Sequence, residues 1–405
     1  MRFAHIADCH IGGWRDPKLK ELNTLAFFLA IDTCIEEKVD FVLIAGDLFN
    51  TALPGIDKLK DVVKKFRELK ELNIPVYLIP GSHDFSPSGK TMLDVLEEAA
   101  LCKNVVKGSV ENGKLRLKFT KDEKTGAKIT GLLGRRGMLE RSYYEDLDRE
   151  SLENEEGFKI FLFHTSITEL KPKSMEKMES SPISLLPRGF DYYAGGHVHI
   201  VEKLDMPGYK NVVYPGPLFP NNFHELEELK GGGFYIYDAG NDELIRKEVS
   251  IKNVVTVGIN AENLIPEQVG SEIIEKTSSQ NLKDAIVLIR IYGTLESGKV
   301  SDVKFREIYE RLYSKGAYFI MRNTSGLSTK EYEEIKVENH SADKIEGKLI
   351  AEHVGQVKVK GWDSKKEIDM INNIMNILSS ERGEGEKVYE FEARLKKELE
   401  DSLGI

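Results

Sequence analysis

The first hundred residues alternate short apolar runs with amphipathic stretches, and each apolar run ends in a polar cluster. The apolar runs are Arg2 to Ala7, Phe41 to Ala45 and Pro75 to Ile79. Leu19 to Glu37 and Ile56 to Leu72, which lie between them, carry apolar residues at the spacing of a helix face. Strands that alternate with helices over short connections form parallel sheets. The pattern predicts an α/β fold whose ligand site lies beyond the carboxyl ends of the strands.

The region from 101 to 240 has a different pattern, in which short strand-like runs dominate. Asn112-Gly113 and Gly231-Gly232-Gly233 are turn signals within it. A second sheet packed on the first is the simplest architecture that accommodates these strands. Five of the predicted strands are Leu115 to Phe119, Lys128 to Leu132, Lys159 to Phe163, Tyr192 to Ala194 and Val212 to Tyr214.

The last 165 residues predict two smaller parts, since the chain has 405 residues and the strand-rich region ends near residue 240. A small α/β pattern comes first, with strands at Ala285 to Ile291 and Ala317 to Met321. Two apolar helical stripes follow after Ser364, separated by a glycine-containing link at 383–386. A chain of this length is long enough for two or three domains. The predicted domains are 1–240, 241–360 and 361–405.

Composition limits the partners and the compartment of the chain. The net charge is −10, so binding to nucleic acid requires a local basic patch. Residues 103–128 carry eight lysines and arginines against three acidic residues. This stretch is either a DNA-contacting surface or a solvated hairpin, and charge alone favours the hairpin. Three scattered cysteines and no long apolar run predict a cytoplasmic protein without disulfides, a secretory signal or a membrane span.

Five short motifs with ligand-type side chains follow the predicted strands. They are Asp8-Cys9-His10, Gly46-Asp47-Leu48-Phe49-Asn50, Gly81-Ser82-His83-Asp84, Phe163-His164-Thr165 and Gly195-Gly196-His197-Val198-His199. Each motif alone is weak evidence for a metal site. A purely structural explanation for all five motifs in this order is very improbable. Carboxylates and imidazoles bind Mn, Fe or Zn, and the set exceeds the needs of one ion. It predicts two ions, which together activate a water and clamp a phosphate.

The order of these motifs resembles the calcineurin-like metallophosphoesterase superfamily. Within it, the chain is similar to the nuclease subunit of the double-strand-break repair complex, the meiotic-recombination-eleven and SbcD type. The resemblance is specific over residues 1–237 and one of layout beyond them. It is carried by Arg2 to Asp8, Ile44 to Phe49, Tyr193 to His199 and Val213 to Pro217, where Pro217 replaces the family's serine. It implies a two-sheet sandwich flanked by helices, then a small capping domain that contacts DNA and a helical segment.

The resemblance also implies roles for the motif residues. One ion would be held by Asp8, His10 and His199, and the other by His164, His197 and Ser82. Asp47 would bridge the two ions, because each oxygen of a carboxylate can bind one ion. His83 would orient the phosphate and protonate the leaving oxygen. Asp84 either orients His83 or caps a following turn, and the two readings are equally supported.

One ligand position departs from the family pattern. The family has asparagine where this chain has Ser82, and a serine hydroxyl reaches less far than an amide carbonyl. Three outcomes are therefore open: Ser82 binds its ion weakly, acts through a water, or leaves the second ion loosely held.

The activity implied by the resemblance is a Mn²⁺-dependent DNA nuclease, acting 3′–5′ on duplex ends and as an endonuclease on single strands. The implied partners are DNA, a second copy of the chain in a homodimer, and an SMC-like coiled-coil ATPase at the nucleoid. Periodicity alone leaves open whether the C-terminal helices bind that ATPase or pack on this chain. Two alternative functions remain, a nucleotide or phosphoprotein phosphoesterase and a repair scaffold that has lost catalysis at Ser82.

Overall fold

The computed structural model describes residues 1–86, 91–330, 363–380 and 388–403. The chain forms two compact units, Met1–Glu331 and Tyr332–Ile405. The first unit begins with β1 (Arg2–Ile6), α1 (Pro17–Glu36), β2 (Phe41–Ala45), α2 (Ile56–Glu71), β3 (Val76–Ile79), α3 (Met92–Glu98) and β4 (Lys103–Asn104). It continues with β5 (Gly108–Glu111), β6 (Lys114–Leu117), β7 (Thr120–Lys121), β8 (Lys128–Gly131), α4 (Arg141–Glu145), α5 (Arg149–Glu153), β9 (Lys159–His164), β10 (Tyr192–Gly196), β11 (Val201–Met206) and β12 (Tyr209–Pro215). It ends with α6 (Phe223–Leu229), β13 (Gly232–Asp238), β14 (Glu243–Val249), β15 (Val254–Asn260), α7 (Pro266–Ser278), β16 (Ile286–Leu295), α8 (Phe305–Ser314) and β17 (Phe319–Thr329).

Two six-stranded sheets form the body of this unit. The first has the strand order β14-β13-β1-β2-β3-β4, and the second has the order β11-β12-β10-β9-β8-β7. Strands β1 to β4 are parallel, as the alternation with helices predicts. Strands β8, β9 and β10 are also parallel to one another. The carboxyl ends of both parallel sets therefore meet at one edge of the sandwich.

The two sheets are held together by an apolar layer rich in aromatic side chains. Phe3 stacks on Phe41 with ring centroids 5.0 Å apart, and Tyr192 of the opposite sheet meets Phe3 edge-on at 5.1 Å. All three are fully buried. Burying one such side chain contributes about 1.5–3 kcal/mol. Helices α1 and α2 cover the outer face of the first sheet and α4 and α5 that of the second, which confirms the predicted sandwich flanked by helices.

A smaller sheet of three parallel strands, in the order β15-β16-β17, follows the sandwich, with α7 and α8 packed on it. This matches the small α/β pattern expected after the second sheet. The first sheet itself continues through β14, to Val249, and so includes residues beyond the predicted boundary at 240. The division at 240 and 360 stays a prediction, and residues 331–362 lie outside the described part of the chain.

The second unit contains two helices, α9 (Ser364–Leu378) and α10 (Val388–Leu403). The Asp363 side chain caps the start of α9 by accepting from the backbone N–H of Lys366 at 2.8 Å. The helices contact each other, and Asn373 donates to the hydroxyl of Ser402 at 2.9 Å. Leu378 remains 58% exposed. The predicted link at 383–386 lies outside the described residues.

Candidate metal centre

The predicted ligand residues all lie at the edge where the parallel strands of both sheets end. Asp8 and His10 follow β1, Asp47 follows β2, Ser82 and His83 follow β3, His164 ends β9, and His197 and His199 follow β10. A cleft of about 390 Å³ opens at this edge, and its lining includes His10, Asp47, Ser82, His83, His197 and His199. Residues from both sheets therefore meet in one cleft.

The backbone at several of these residues has left-handed φ angles. Asp8, His10 and Asp47 have φ values of 50°, 44° and 51°, and His197 and His199 have values of 104° and 56°. Non-glycine residues rarely adopt this region, and each costs about 1–3 kcal/mol unless its surroundings compensate. Backbone hydrogen bonds supply part of the compensation, since His10 N–H donates to the Asp47 carbonyl at 2.9 Å. Such conformations are typical of functional sites.

One group of ligand atoms comprises Asp8, His10 and His199. The Nε2 atoms of His10 and His199 lie 2.9 Å apart, and Asp8 Oδ1 lies 3.8 Å from His199 Nε2. Two nitrogens bound to one ion at about 2.1 Å, and at right angles, lie about 3 Å apart. The spacing of the two imidazoles therefore fits a shared cation.

A second group comprises Asp8, Asp47 and His164. His164 Nδ1 donates to the backbone oxygen of Ala45 at 2.8 Å, which turns Nε2 toward Asp47 Oδ2 at 3.2 Å. That Nε2 is buried and has no hydrogen-bond partner among the described residues. A buried nitrogen without a partner is costly, and a metal ion at this position would satisfy it. The donor set thus fits a second cation.

Asp47 belongs to the second group and lies beside the first, and with His10 and His83 it forms a third close group of possible ligand atoms. Its Oδ2 lies 3.6 Å from His10 Nε2 and 3.2 Å from His164 Nε2. Ser82 Oγ donates to the same oxygen at 3.4 Å. Oδ2 is therefore adjacent to ligands of both the first and the second group, while Oδ1 accepts from the backbone N–H of His83 at 2.7 Å.

His197 contributes through its backbone and its ring. Its N–H donates to both oxygens of Asp8, at 3.0 and 3.1 Å. Its ring meets that of His164 edge-on, with centroids 5.1 Å apart. The structure thus places His197 beside the second group, at the wall of the cleft.

His83 lies at the mouth of the cleft and Asp84 lies beneath it. His83 Nδ1 donates to the backbone oxygen of Asn50 at 2.9 Å, and the His83 ring meets that of His10 at 4.7 Å. The buried Asp84 carboxylate instead accepts from the backbone N–H groups of Leu48, Phe49 and Gly81 at 2.9–3.1 Å. Asp84 therefore ties the loop that carries Asp47 to the loop that carries His83, and the imidazole of His83 is oriented by Asn50.

Burial and mutual charge set the protonation of the site. Burial lowers the pKa of His10 and of His197 to about 3, so both imidazoles are neutral and able to bind a cation. Burial opposes ionisation of Asp47, but His164 and His10 hold the pKa of Asp47 well below its usual range. Against burial, Asp8 and Glu225 raise the pKa of His199 to about 9. Metal binding displaces such protons from its ligands.

Glu225 belongs to the site and is absent from the motif set. Its Oε1 accepts from His199 Nδ1 at 3.0 Å, and its Oε2 accepts from the backbone N–H of Asn221 at 2.8 Å. Asn222 caps α6 by accepting from the N–H of Glu225 at 2.9 Å. The spacing of an asparagine and a glutamate three residues later signals a helix start. That signal predicts α6 but not the contact with His199.

The basic stretch 103–128 is partly neutralised by neighbouring acids. The pairs are Lys107 with Glu97, Arg116 with Glu111, Lys124 with Asp40 and Lys128 with Glu155. Such ion pairs are typical of a solvated surface. A solvated hairpin is also the interpretation that charge alone favours. A role for the stretch in DNA binding stays a prediction.

Comparison with known proteins supports the chemistry of the site. Residues 1–201 match the family model for calcineurin-like phosphoesterases. The chain is 28% identical over 331 residues to the DNA double-strand break repair protein Mre11 of Methanococcus maripaludis, covering 78% of this chain and 79% of that one. The Archaeoglobus fulgidus protein of the same name is 25% identical, covering 95% and 82%. The Sulfolobus acidocaldarius one is 26% identical, covering 92% and 95%. Similarity therefore extends past the motif region into the C-terminal part.

Among the residues that the structure describes, none of the helices combines the length and the apolar character needed to cross a bilayer.

Proposed function

We propose that this chain, whose residues 1–201 belong to the calcineurin-like phosphoesterases, is a two-metal DNA nuclease of double-strand-break repair. Family membership makes it a metal-dependent phosphoesterase. The observation that carries the two-ion reading is the position of Asp47, whose Oδ2 lies within 3.6 Å of both His10 and His164. DNA is supported by relatives named as DNA double-strand break repair proteins, which align over 78–95% of the chain.

The proposed ligand assignment keeps the first group and completes the second ion's ligands with His197 and Ser82, which line the same cleft. Asp8, His10 and His199 would hold one ion, His164, His197 and Ser82 the other, and Asp47 both. Both ions are divalent, and Mn²⁺ suits this mixture of carboxylate and imidazole. When bound, the ions supply an activated water and stabilise charge on the phosphate.

His83 is the proposed proton donor to the leaving oxygen. The bond from Nδ1 to the Asn50 carbonyl fixes the ring and leaves Nε2 as the atom that carries the exchangeable proton. The ring lines the cleft beside His10, where a phosphodiester would lie. Imidazole suits this role, because it is the side chain that most often serves as a general acid or base.

The wider proposal concerns substrate and partners. The nuclease acts 3′–5′ on duplex ends and cuts single strands, with residues 241–360 as a DNA-contacting capping domain. Residues 361–405 dock on an SMC-like coiled-coil ATPase, and two copies of the chain form a homodimer in the cytoplasm, at the nucleoid. Docking is supported by the apolar stripe of α9, in which Ile368, Ile371 and Met375 are only half-buried and Leu378 is exposed, so that contiguous apolar surface is left for a partner.

The test uses the full chain, stripped of metal and reloaded with MnCl₂. Labelled duplex DNA, single-stranded DNA, mononucleotides and a phosphopeptide are offered separately, with the Asp47→Ala variant as a blank. We expect Mn²⁺-dependent shortening of the duplex from its 3′ ends and internal cutting of single strands. Hydrolysis of mononucleotides or phosphopeptide alone would make the chain a general phosphoesterase. Failure on all four substrates, with metal bound, would make it a scaffold.

A further inference from the structure

Helix α6 connects the three-stranded sheet to the metal centre. On the side facing the cleft, Glu225 accepts from His199 Nδ1 at 3.0 Å. On the side facing the sheet, Glu227 pairs with Arg290 of β16, whose Nε lies 2.9 Å from both carboxylate oxygens. The Arg290 guanidinium also stacks over the ring of Phe223, 5.1 Å from its centroid. A single short helix thus contacts a ligand residue and a separate sheet.

The contacts of α6 are buried enough to fix its position. Leu226 is fully buried and packs in an apolar cluster with Val254, Ile286 and Leu288 of the three-stranded sheet. The side chains of Glu227 and Arg290 are 21% and 32% exposed. Paired charges with two hydrogen bonds are geometrically specific as well as attractive. Arg290 therefore contributes, together with Leu226, to where α6 sits on the sheet.

The Glu225 side chain is equally constrained. Its Oε1 also accepts from the Asn222 amide at 2.5 Å, and its Oε2 accepts from the backbone N–H of Asn221. With both oxygens bound, the carboxylate has one orientation available. Its bond to Nδ1 aims His199 Nε2 at His10 and Asp8. A carboxylate behind a ligand histidine fixes the ring and its tautomer.

We propose that Glu225 is a positioning residue for the ion held by Asp8, His10 and His199, and that Arg290 fixes Glu225 through α6. The three-stranded sheet thereby sets the affinity of the site for this ion. The affinity for the other ion, beside His164, is unaffected. This inference rests on the two-ion site proposed above.

The test titrates the metal-free full chain with MnCl₂, by calorimetry and by electron paramagnetic resonance. Two Mn²⁺ ions sharing a carboxylate are magnetically coupled, whereas a lone ion gives its own hyperfine pattern. In Glu225→Leu we expect one ion to bind about 10- to 100-fold more weakly. At MnCl₂ concentrations that give the wild type the spectrum of a coupled pair, the variant should give the spectrum of a lone ion. Unchanged affinities for both ions in this variant would overturn the inference.

Arg290→Met tests the remote part of the proposal without touching the cleft. We expect this variant to bind the same ion about tenfold more weakly. The double variant should bind no more weakly than Glu225→Leu alone, because both changes act on one contact. The link through α6 would be refuted if the effects of the two substitutions on binding were fully additive. It would also be refuted if Arg290→Met bound this ion with wild-type affinity.

Two controls separate positioning from loss of structure. Glu228→Gln removes a charge from the exposed side of the same helix, where the Glu228 side chain is 62% exposed, and should leave both ions unchanged. Metal-free melting temperatures report on the fold. If Glu225→Leu lowers only the melting temperature, Glu225 is merely a helix-capping residue and the inference fails. If the wild type itself binds fewer than two ions, the two-ion function fails, and the inference with it.

Discussion

Asp47 Oδ2 lies 3.2 Å from His164 Nε2, across the boundary between the two sheets. Asp47 follows a strand of the first sheet and His164 ends a strand of the second. The candidate metal centre is therefore assembled only when the two sheets pack, and each group of possible ligands contains residues from regions far apart in the chain.

Asp47→Ala should abolish binding of both ions and all phosphodiester cleavage. The carboxylate is adjacent to ligands of both groups, so its loss should weaken binding by more than about 100-fold. Metal content measured after equilibrium dialysis against MnCl₂ checks this. Asp57→Ala, a change at an exposed carboxylate of α2, is the matched control. Normal metal content in Asp47→Ala would refute the bridging role.

His83→Ala should lower turnover by about 10²–10⁴-fold, the usual contribution of a positioned proton donor. Bound metal and DNA affinity should change little, because the proposed ligand assignment is complete without His83. Turnover is measured with labelled duplex, and metal content is measured alongside. His224→Ala, at a histidine whose side chain is 63% exposed, should behave as the wild type. Loss of an ion from His83→Ala would make His83 a ligand instead.

Ser82→Asn should raise activity at low Mn²⁺ concentration. An amide carbonyl reaches further into the cleft than the Ser82 hydroxyl, which donates to Asp47 at 3.4 Å. We expect half-maximal activity at a roughly tenfold lower Mn²⁺ concentration, equivalent to about 1.4 kcal/mol. Ser82→Ala serves as the opposite control and should need more Mn²⁺. Flat or reduced activity in Ser82→Asn would show that the cleft is adapted to serine.

His5 should make the protein less stable as the pH falls. Burial, opposed by a bond to Gly195, lowers the pKa of His5 to about 3 from an ordinary value of 6.5. The unfolded chain therefore binds one more proton between those values. The contribution of His5 to the free energy of unfolding should fall by about 1.3 kcal/mol per pH unit on acidification from roughly pH 6 to pH 4.

The His5 effect is isolated by comparing variants in metal-free urea unfolding at several pH values. His5→Gln should show a shallower pH dependence than the wild type, although it is less stable at pH 7.5 because Tyr192 loses its buried partner. His224→Gln, at an exposed position, should keep the wild-type slope. Equal slopes in His5→Gln and the wild type would contradict the assignment.

Removal of residues 364–405 should abolish co-purification with the SMC-like ATPase and leave Mn²⁺-dependent cleavage intact. The helices α9 and α10 form part of a compact unit distinct from the one that holds the metal centre. Leu378→Glu is a milder variant that charges an exposed position of α9. Loss of solubility or of cleavage on truncation would instead indicate that these helices pack on the rest of the chain.

Most of the fold was predictable from local patterns. Phe41–Ala45 is a continuous apolar run and is fully buried, so a buried parallel strand is the expected outcome. Strand β14 (Glu243–Val249) was missed because it is a half-exposed edge strand with charged residues, and only its pairing with β13 gives it a place in the sheet. Edge strands carry a weak local signal for this reason.

The side chains that lie at strand ends can be read from local sequence, because a short apolar run followed by a polar motif specifies both the strand and its terminus. Which of those side chains meet depends on how the two sheets pack. Asp84 is next to His83 in the chain, yet its oxygens bind the backbone of Leu48 and Phe49. Glu225 lies 26 residues from His199 and binds its imidazole. Such contacts depend on how loops and helices converge after the sheets pack, and local sequence patterns carry no information about that convergence.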